Sequence, residues 1–576
     1  MTAFVYKVHP AIGVARVGDG EDYYIAPEVA GGLPLNPDGR RFGREDFRDG
    51  AGRVRRQAAR FEVFRYDPAR PDDPGMPVRP GRDGVERIEW TVHLANKKAA
   101  WFEFIVNAGS QGYAPDHPLR NAHVTDPAER TKLIIDPGPR TLAGPNAAVE
   151  FSRYDNPDGY PMTFPPAGLE PGEIDSLGDL RTDDESRLLV LGAFGNSGSD
   201  RLPPEIVDYA NNDRWWDDTA DGPVTARLKL ADGSTVAVDH GAWVAVAPPR
   251  FAPELINVVT LYDTMFDTAV RTMGHRPDIY ADGLWQRSFR PSWERDIEPI
   301  VERIRRYIWV AAIPRHAHDL DLAKLADPDP RFEGLRAFYL SVVRPPDGPN
   351  LENSPDNGMP MMPMLCGDNC FEPGPLSSTF LTLTQTQYFY LRQWAAGQFD
   401  TRGGPPPEGG AALDRAALDN CVGGAFSPGI EVTWISRDPR IYSEPLRIHA
   451  ATGVRPPLSL GQDFERGLEP GDLCKYMALP WQADFNECSQ EQAGDRFAYW
   501  WPVQRPDYVF VEHHDRLRQV PWVGSAADQN ADDYLEFARD IEMVRLWSRL
   551  GFVFNAGTTD QPRFVEVART LRGSRP

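Results

Sequence analysis

Residues 87–94 read RIEWTVHL, with apolar side chains at every second position: Ile88, Trp90, Val92 and Leu94. Side chains that alternate in this way point to opposite faces of a β-strand, so the stretch predicts a strand with one buried face. Residues 225–238, TARLKLADGSTVAV, place Asp232-Gly233 between two alternating runs, which is the pattern of a tight hairpin. We therefore predict a β-rich N-terminal domain over residues 1–250.

From residue 251 onward the apolar period becomes helical. Residues 254–274, ELINVVTLYDTMFDTAVRTMG, predict a helix that ends at Gly274 and has an apolar stripe of Ile256, Val259, Tyr262 and Phe266. Residues 296–313, DIEPIVERIRRYIWVAAI, predict a second helix. Residues 377–399 predict a third, with Ser378 as its N-cap and Gly397 as its stop.

The last predicted helix covers residues 531–551, ADDYLEFARDIEMVRLWSRLG. Asp532 and Asp533 suit the positive N-terminal end of a helix, and Gly551 ends it. One apolar stripe runs along it: Tyr534, Phe537, Ile541, Val544 and Trp547. This stripe predicts that Trp547 points inward.

The segments between these helices are rich in proline and glycine, as in RPPDGPNLENSPDNGMPMMP (344–363) and TRGGPPPEGGAA (401–412). Such composition favours loops over regular structure. We therefore expect an α+β fold, in which a helical, loop-rich C-terminal domain over residues 251–576 follows the β-rich domain.

Charge and composition exclude several classes of partner. The net charge of −22 would repel a phosphate backbone or an anionic lipid surface. No stretch supplies the roughly 18 consecutive apolar residues of a membrane span, and the N-terminus lacks the basic start and apolar core of a signal peptide. We expect a cytoplasmic protein that binds neither nucleic acid nor membrane.

The five cysteines are too few, and odd in number, for a disulfide framework in a chain of 576 residues. CGDNC (366–370) has three residues between its thiols, unlike the CxxC of zinc ribbons, and no second pair completes a tetrahedral set. We favour a turn there and expect no metal. Adjacent histidines in VEHHD (511–515) favour a solvated loop, because zinc-binding helices space two histidines four apart.

Two further motifs have plain structural explanations. GAFGNSGS (192–199) lacks the glycine spacing of a dinucleotide-binding loop, and no βαβ unit surrounds it. YANNDRWWDD (209–218) clusters Asp213, Asp217 and Asp218 around two tryptophans, and a turn beside buried rings accounts for it better than a cation site.

PWQADFNEC (480–488) places Asp484 four residues before Cys488. In a helix these positions share one face, so the carboxylate reaches whatever the sulfur is bonded to. One hypothesis is a base beside a sulfur-bearing reactive centre. The other is a buried cysteine with an unrelated N-capping aspartate, and the residues alone leave both open.

Several motifs, taken together and in order, resemble one family: HPAIGVARVGDG (9–20), YANNDRWWDD, CVGGAFSPGIEVTWISRDP (421–439), ALPWQADFNEC (478–488), WWPVQRPD (500–507) and LWSRLGFV (546–553). The chain is identified as a member of the LodA-like quinoprotein amino acid oxidases, which include lysine 6-oxidase and glycine oxidase. In that family a cysteine and a tryptophan are crosslinked, and the indole is oxidised to cysteine tryptophylquinone.

The resemblance implies particular site residues. Cys488 matches the thioether donor, Trp547 the quinone ring, and Asp484 the aspartate implicated in forming the quinone. Tyr209 resembles a tyrosine near the family's site, and His449 is supported only by its place downstream of TWISRDP. Alternative cofactor residues rank lower: the sulfur of Cys421 and the rings of Trp481, Trp500 and Trp501. Cys421 has Ala417, not an aspartate, four residues upstream.

The resemblance also implies the chemistry. The quinone takes electrons from the primary amine of a free amino acid, Asp484 removes a proton from the substrate carbon, and oxygen restores the quinone while hydrogen peroxide forms. We expect an oxo product, ammonia, a flavoprotein maturation partner and a homo-oligomer, with glycine or another small amino acid favoured over lysine as substrate.

Two competing hypotheses remain. One is a family relative that acts as a binding or structural protein because its crosslink never forms. The other is a metal-dependent oxidase or hydrolase that uses the neighbourhoods of His513 and Asp217.

Overall fold

We describe the fold from a computed structural model, which covers residues 4–70, 72–82, 84–104, 113–114, 116–156, 159–367, 370–371, 379–424, 429–513, 516–523 and 539–569. The strands of the first half are β1 Val5–His9, β2 Ile12–Arg16, β3 Tyr23–Ile25, β4 Arg56–Tyr66, β5 Met76–Pro77, β6 Val85–Val92, β7 Arg140–Ala143, β8 Ala148–Ser152, β9 Glu170–Pro171, β10 Ser176–Thr182, β11 Leu188–Leu191, β12 Ser197–Ser199, β13 Trp215–Asp217, β14 Ala220–Leu230, β15 Thr235–Ala237 and β16 Ala242–Ala247.

The strands of the second half are β17 Tyr280–Ala281, β18 Leu284–Trp285, β19 Tyr442–Glu444, β20 Arg447–Ile448, β21 Gln490–Ala493, β22 Arg496–Tyr499, β23 Tyr508–His513, β24 Arg516–Pro521, β25 Phe552–Asn555 and β26 Phe564–Val567. The α-helices are α1 Pro127–Arg130, α2 Leu261–Thr272, α3 Glu298–Arg306, α4 Arg315–His318, α5 Leu322–Ala326, α6 Glu333–Val342, α7 Gln385–Ala395, α8 Gly409–Asp419, α9 Trp481–Glu487 and α10 Asp540–Leu546.

A large mixed sheet dominates the first half of the chain. Its strands run in the order β7-β6-β14-β16-β2-β4-β11-β10-β8, with β1, β3 and β5 on β4 and β15 on β14. The two end strands, β7 and β8, are consecutive in the chain, and the Arg140 guanidinium of β7 donates to the Glu150 carbonyl of β8 at 3.0 Å. The sheet therefore curls back on itself into a barrel-like layer, and the predicted β-rich N-terminal region is confirmed.

The strand that the alternation predicted is β6. The side chains of Ile88, Trp90, Val92 and Leu94 are all buried, at 2 % exposure or less, because they share the inner face. The predicted hairpin joins β14 to β15, with Lys229 opposite Thr235. Gly233 adopts a φ of +85° in that turn, a conformation that costs glycine little.

The expectation of a helical second half is not confirmed as a whole, because strands alternate with its helices. The strand pairs β17-β18, β19-β20, β21-β22, β23-β24 and β25-β26 form antiparallel hairpins. In YVFVEH of β23 the run of β-forming residues was in the sequence but went unused, whereas RLRQVP of β24 has no alternating pattern that would have predicted it.

Three predicted helices exist with shifted starts. α2 begins only after Thr260, which forms a capping box with Asp263, so Ile256 and Val259 precede the helix; Gly274 follows it as predicted. The helix predicted over residues 296–313 begins earlier, in a π-helical turn at Trp293–Ile297, continues as α3 and ends in the 3₁₀ turn Tyr307–Trp309. α7 is capped by Thr384 and ends just before Gly397, whereas Ser378 lies outside the described residues.

The last predicted helix is α10, which is followed directly by the 3₁₀ turn Trp547–Arg549. Asp532, Asp533, Tyr534 and Phe537 lie outside the described residues. Trp547 is buried at 4 % exposure, which confirms its inward direction. Within the ranges that the structure describes, no helix is long and apolar enough to cross a membrane.

Candidate active site

The helix α9 carries Asp484 and Cys488 on one face, as their spacing predicts. Cys488 caps the C-terminal end of α9, where its amide donates to the Asp484 carbonyl at 2.9 Å. Its thiol Sγ also lies 2.9 Å from Asp484 Oδ1, as a hydrogen bond to the carboxylate. The aspartate therefore contacts the sulfur directly and does not cap the helix, since it lies in the first turn with its side chain turned toward Cys488.

The environment of Asp484 changes its acidity. The residue is only 2 % exposed, and burial raises the pKa of its carboxyl to about 7, although the thiol of Cys488 and the charge of Lys98 both act in the opposite direction. A low-dielectric surrounding disfavours the charged carboxylate, which explains the direction. Asp484 can therefore exchange a proton near neutral pH.

Trp547 lies against the loop that precedes β12. Its indole Nε1 donates to the Gly195 carbonyl at 3.1 Å, and the same carbonyl accepts the Gln482 amide of α9 at 3.0 Å. A Cβ at position 195 would lie 2.2 Å from Cζ2 of the six-membered ring, and Gly195 has a φ of +74°. Glycine is thus required here for two reasons: close approach of the ring and backbone conformation.

A buried ion pair anchors the N-terminal end of α9. Asp217 Oδ2 accepts both the Lys98 ammonium at 2.8 Å and the Trp481 amide at 3.0 Å, the latter being the first amide of the helix. Lys98 and Asp217 are completely buried. A carboxylate from β13 therefore does what an N-cap side chain usually does, and it fixes α9 against the N-terminal half of the chain.

The C-terminal end of α9 is held by Arg505 of the WWPVQRPD motif. Its guanidinium donates to the carbonyls of Phe485 at 2.6 Å and Asn486 at 3.4 Å. Carbonyls in the last turn of a helix have no amide partner within the helix, so Arg505 supplies one. The positive charge also suits the negative end of the helix, and it interacts electrostatically with Cys488. Arg505 thus stabilises the turn that presents the sulfur.

The helices α9 and α10 pack against each other. The Asn486 amide donates to Asp540 Oδ1 at 2.8 Å, so the turn that bears Cys488 is tied to the start of α10. Glu487 also hydrogen-bonds Asp540, and burial together with this second carboxylate raises the pKa of Glu487. Cys488 and Trp547 lie in one hydrophobic cluster, which also contains Trp481. The Trp481 and Trp547 rings pack edge to face, with 5.6 Å between their ring centroids.

The remaining predicted residues lie at different places. Tyr209 packs edge-on against Phe104 at 6.4 Å, in the loop whose Ala210 carbonyl accepts the Leu479 amide just before α9. His449 follows β20, where its amide donates to the Ile441 carbonyl at 2.7 Å, beside a separate cluster around Ile448 and Leu468. Both roles stay predictions, and the surroundings of His449 give its role no support.

The alternative residues also have defined surroundings. Cys421 lies in that separate cluster beside Arg16 and Glu431, where burial raises the pKa of its thiol. Asp217 is engaged by Lys98 and the α9 amide. Of the VEHHD pair, His514 lies outside the described residues and the side chain of His513 is not described.

Comparison with known proteins assigns the chain to a family. Residues 9–246 match the model described as L-lysine epsilon oxidase N-terminal, and residues 363–508 match the L-lysine epsilon oxidase C-terminal domain. The L-lysine 6-oxidase of Marinomonas mediterranea is 36 % identical, in an alignment that covers 98 % of this chain and 89 % of that protein. The chain belongs to the LodA family.

Solved LodA-family structures match the whole fold. A crystal structure of the L-Lys epsilon-oxidase from Marinomonas mediterranea aligns with a TM-score of 0.85 at 30 % identity, over 98 % of this chain and 95 % of that one. A structure described as the Schiff base intermediate of that enzyme with L-Lys aligns with a TM-score of 0.84 over the same shares. Amino acid oxidation by an oxidoreductase of this family is therefore supported for the chain.

Three residues near α9 and Trp547 were not recognised as site candidates in the sequence: Gly195, Lys98, and Asp218, whose cluster was explained as a turn beside buried rings. Gly195 belongs to GAFGNSGS, which was considered only as a nucleotide loop; β12 pairs with β13, so this motif and WWDD meet beside Trp547. Asp218 accepts the Asn196 amide at 2.9 Å, and burial raises the pKa of its carboxyl to about 8. Lys98 lies far along the chain from α9 and Trp547, and it gave no local signal.

Proposed function

We propose that Cys488 and Trp547 form a cysteine tryptophylquinone and that the protein oxidises the primary amine of a free amino acid. Once formed, such a quinone would accept two electrons from an amine and pass them to O2, which would become hydrogen peroxide, and water would supply the oxygen of the oxo product as ammonia leaves. The observation that supports this proposal most directly is the 2.9 Å hydrogen bond from Cys488 Sγ to a buried Asp484, on a helix packed against α10, which ends just before Trp547.

The residues present fit this cofactor. Cys488, Trp547 and Asp484 are each at most 4 % exposed, so a reactive ring formed here would be shielded from water. The indole Nε1 is engaged by the Gly195 carbonyl and takes no part in a thioether, so this bond can persist after crosslinking. A quinone forms on the six-membered ring of an indole, and that is the ring for which Gly195 makes room.

Asp484 is the proton acceptor in this proposal. In the unmodified chain its Oδ1 already accepts the Cys488 thiol hydrogen, so it can take that proton when sulfur bonds to the ring. A base is most effective when its pKa lies near the working pH, and a pKa of about 7 satisfies this condition. The same carboxylate would later remove a proton from the substrate carbon.

The surrounding residues hold this arrangement in place. Asp217 and Lys98 fix the start of α9, Arg505 fixes its end, and Gln482 Nε2 shares the Gly195 carbonyl with the indole. Because these groups are buried and hydrogen-bonded to both ends of α9, they hold the carboxylate and the sulfur in a fixed relative position.

The substrate is a free amino acid, and lysine is the first to test because the relatives reported above are lysine oxidases. Glycine, favoured by the resemblance alone, is the second. A peroxide assay with each common amino acid as substrate distinguishes them. No turnover of any amino acid or simple amine by protein that carries the quinone would refute the oxidase proposal.

Maturation provides the direct test of the cofactor. We propose that a flavoprotein partner introduces the quinone, so co-expression should give coloured protein whose mass exceeds the sequence mass by two oxygens less four hydrogens. Cys488→Ala and Trp547→Phe should each prevent this, whereas Cys421→Ala is the matched control because it removes the other candidate sulfur. A full mass shift in Cys488→Ala would refute the assignment.

A further inference from the structure

Cys366 and Cys370 lie close to a carboxylate from a distant part of the chain. Cys366 Sγ lies 2.9 Å from Glu491 Oε2, and one sulfur or oxygen atom from each of Cys366, Cys370 and Glu491 lies within 4.8 Å of the other two. Both cysteines are fully buried, and Glu491 lies on β21. We propose that these three residues bind a zinc-like divalent cation, at a site separate from the residues of the quinone.

One backbone amide at this cluster is placed as it would be beside metal-bound sulfur. The Cys370 amide points at Cys366 Sγ at 3.3 Å and at Glu491 Oε2 at 3.2 Å. An N–H that donates to sulfur stabilises a thiolate, which is the form that ligates a metal. The same amide orients the carboxylate, so one backbone group positions two of the three ligands.

The charges at this cluster also balance with a cation present. Two thiolates and one carboxylate carry three negative charges, which cannot remain together in a buried site without compensation. A divalent cation supplies two positive charges, and the buried guanidinium of Arg344, which interacts electrostatically with Cys370, supplies the third.

Ligand chemistry and spacing favour zinc over harder ions. Thiolates select zinc over calcium or magnesium, and three protein ligands leave one tetrahedral position for a further ligand. In such a site a sulfur and a carboxylate oxygen lie about 3.5 Å apart. The Glu491 side chain, which is only half-buried, needs to swing outward by roughly half an ångström from its hydrogen-bonded position.

The proposed cation would brace the segment that follows Cys488. The Cys366 amide donates to the Tyr499 carbonyl at 2.6 Å, and Glu491 and Tyr499 lie on the two strands of the β21-β22 hairpin. This hairpin begins two residues after Cys488. The CGDNC motif alone does not reveal this site, because the third proposed ligand, Glu491, is 121 residues away from Cys370 in the sequence.

Metal analysis of the full-length chain tests this proposal. The protein is purified in the unmodified form with reductant present, so that no quinone absorbs in the visible range, and bound zinc is measured by mass spectrometry of the elements. We expect one zinc per chain, reduced at least tenfold in Cys366→Ser and Cys370→Ser and weakened in Glu491→Gln. Cys474→Ser is the matched control, because its buried thiol lies against the carbonyls of Ala95 and Gly471.

A second measurement does not depend on the folding of any variant. The wild-type protein is stripped with a chelator and titrated with Co²⁺, and we expect a sulfur-to-cobalt charge-transfer band together with the visible bands of tetrahedral cobalt. Protein that holds no zinc and gives no such bands would overturn the proposal. A Cys366–Cys370 disulfide, detected as a chain two hydrogens lighter with two fewer thiols, would overturn it as well.

Discussion

The buried carboxyl of Asp484 should make the stability of the unmodified protein depend on pH in a defined way. Its pKa is 3.8 in an unfolded chain and about 7 in the fold. Below about pH 4 it is protonated in both states. Between about pH 4 and 7 only the unfolded chain releases the proton, so stability falls as pH rises, and the loss is complete above the folded-state pKa.

The shift of about 3 pKa units corresponds to a loss of about 4 kcal/mol at pH values above 7, at 1.36 kcal/mol per unit. The amide introduced by Asp484→Asn does not titrate, so this variant should become more stable than the wild type by an increasing margin from pH 4.5 to pH 7.5. The assay is denaturant unfolding of both unmodified proteins across this range, in which the other titrating groups cancel in the difference.

Asp495→Asn is the matched control, because Asp495 is exposed in the turn of the next hairpin. If Asp484→Asn and the wild type show parallel pH profiles, the carboxyl is not held in a desolvated site, and the proposed base loses its physical basis.

The other predictions concern the ring, the ion pair and catalysis. Gly195→Ala should prevent quinone formation and destabilise the fold, because the added Cβ overlaps the Trp547 ring. Gly233→Ala is the control, since Gly233 has a similar φ of +85° but open space around it, and it should keep full colour. Equal effects of the two variants in absorbance and unfolding assays would show that only the backbone conformation matters. Lys98→Met should lower the free energy of unfolding by about 3–5 kcal/mol, because it leaves Asp217 buried without its partner. Lys132→Met, which removes an exposed ion pair with Glu129, should lower it little. Similar losses of stability in the two variants would contradict the importance of the buried pair. In mature enzyme kcat/KM should rise with pH as Asp484 ionises, and in coloured Asp484→Asn protein it should be lower by about 10²- to 10⁴-fold; an unchanged rate in that protein would exclude Asp484 as the base.

The sequence predicted those features that depend on local pattern. The alternation of β6, the Asp232-Gly233 hairpin and the face shared by Asp484 and Cys488 all follow from periods of two and of 3.6 residues. Trp547 was placed inward by the same argument. The family resemblance then supplied what no pattern contains, namely which sulfur and which ring to pair.

Long-range contacts were not predictable in this way. Lys98, Gly195 and Asp217 come from three segments of the N-terminal half, and they meet α9 and Trp547 only because the sheet and the β12-β13 pair bring them there. The starts of α2 and α7 were also predicted too early, because apolar periodicity extends beyond the N-terminal end of each helix. The side chains of Thr260 and Thr384 accept hydrogen bonds from amides of the first turn, and these caps fix where the helices begin.

Peptide mapping of the mature protein tests the central assignment most directly. After co-expression with the flavoprotein partner and proteolysis, mass spectrometry should find one crosslinked pair of peptides, joined through Cys488 and Trp547 and heavier than the unmodified peptides together by two oxygens less four hydrogens. A crosslink through Cys421 or another tryptophan, or active coloured protein in which the peptides of Cys488 and Trp547 are unmodified, would contradict it.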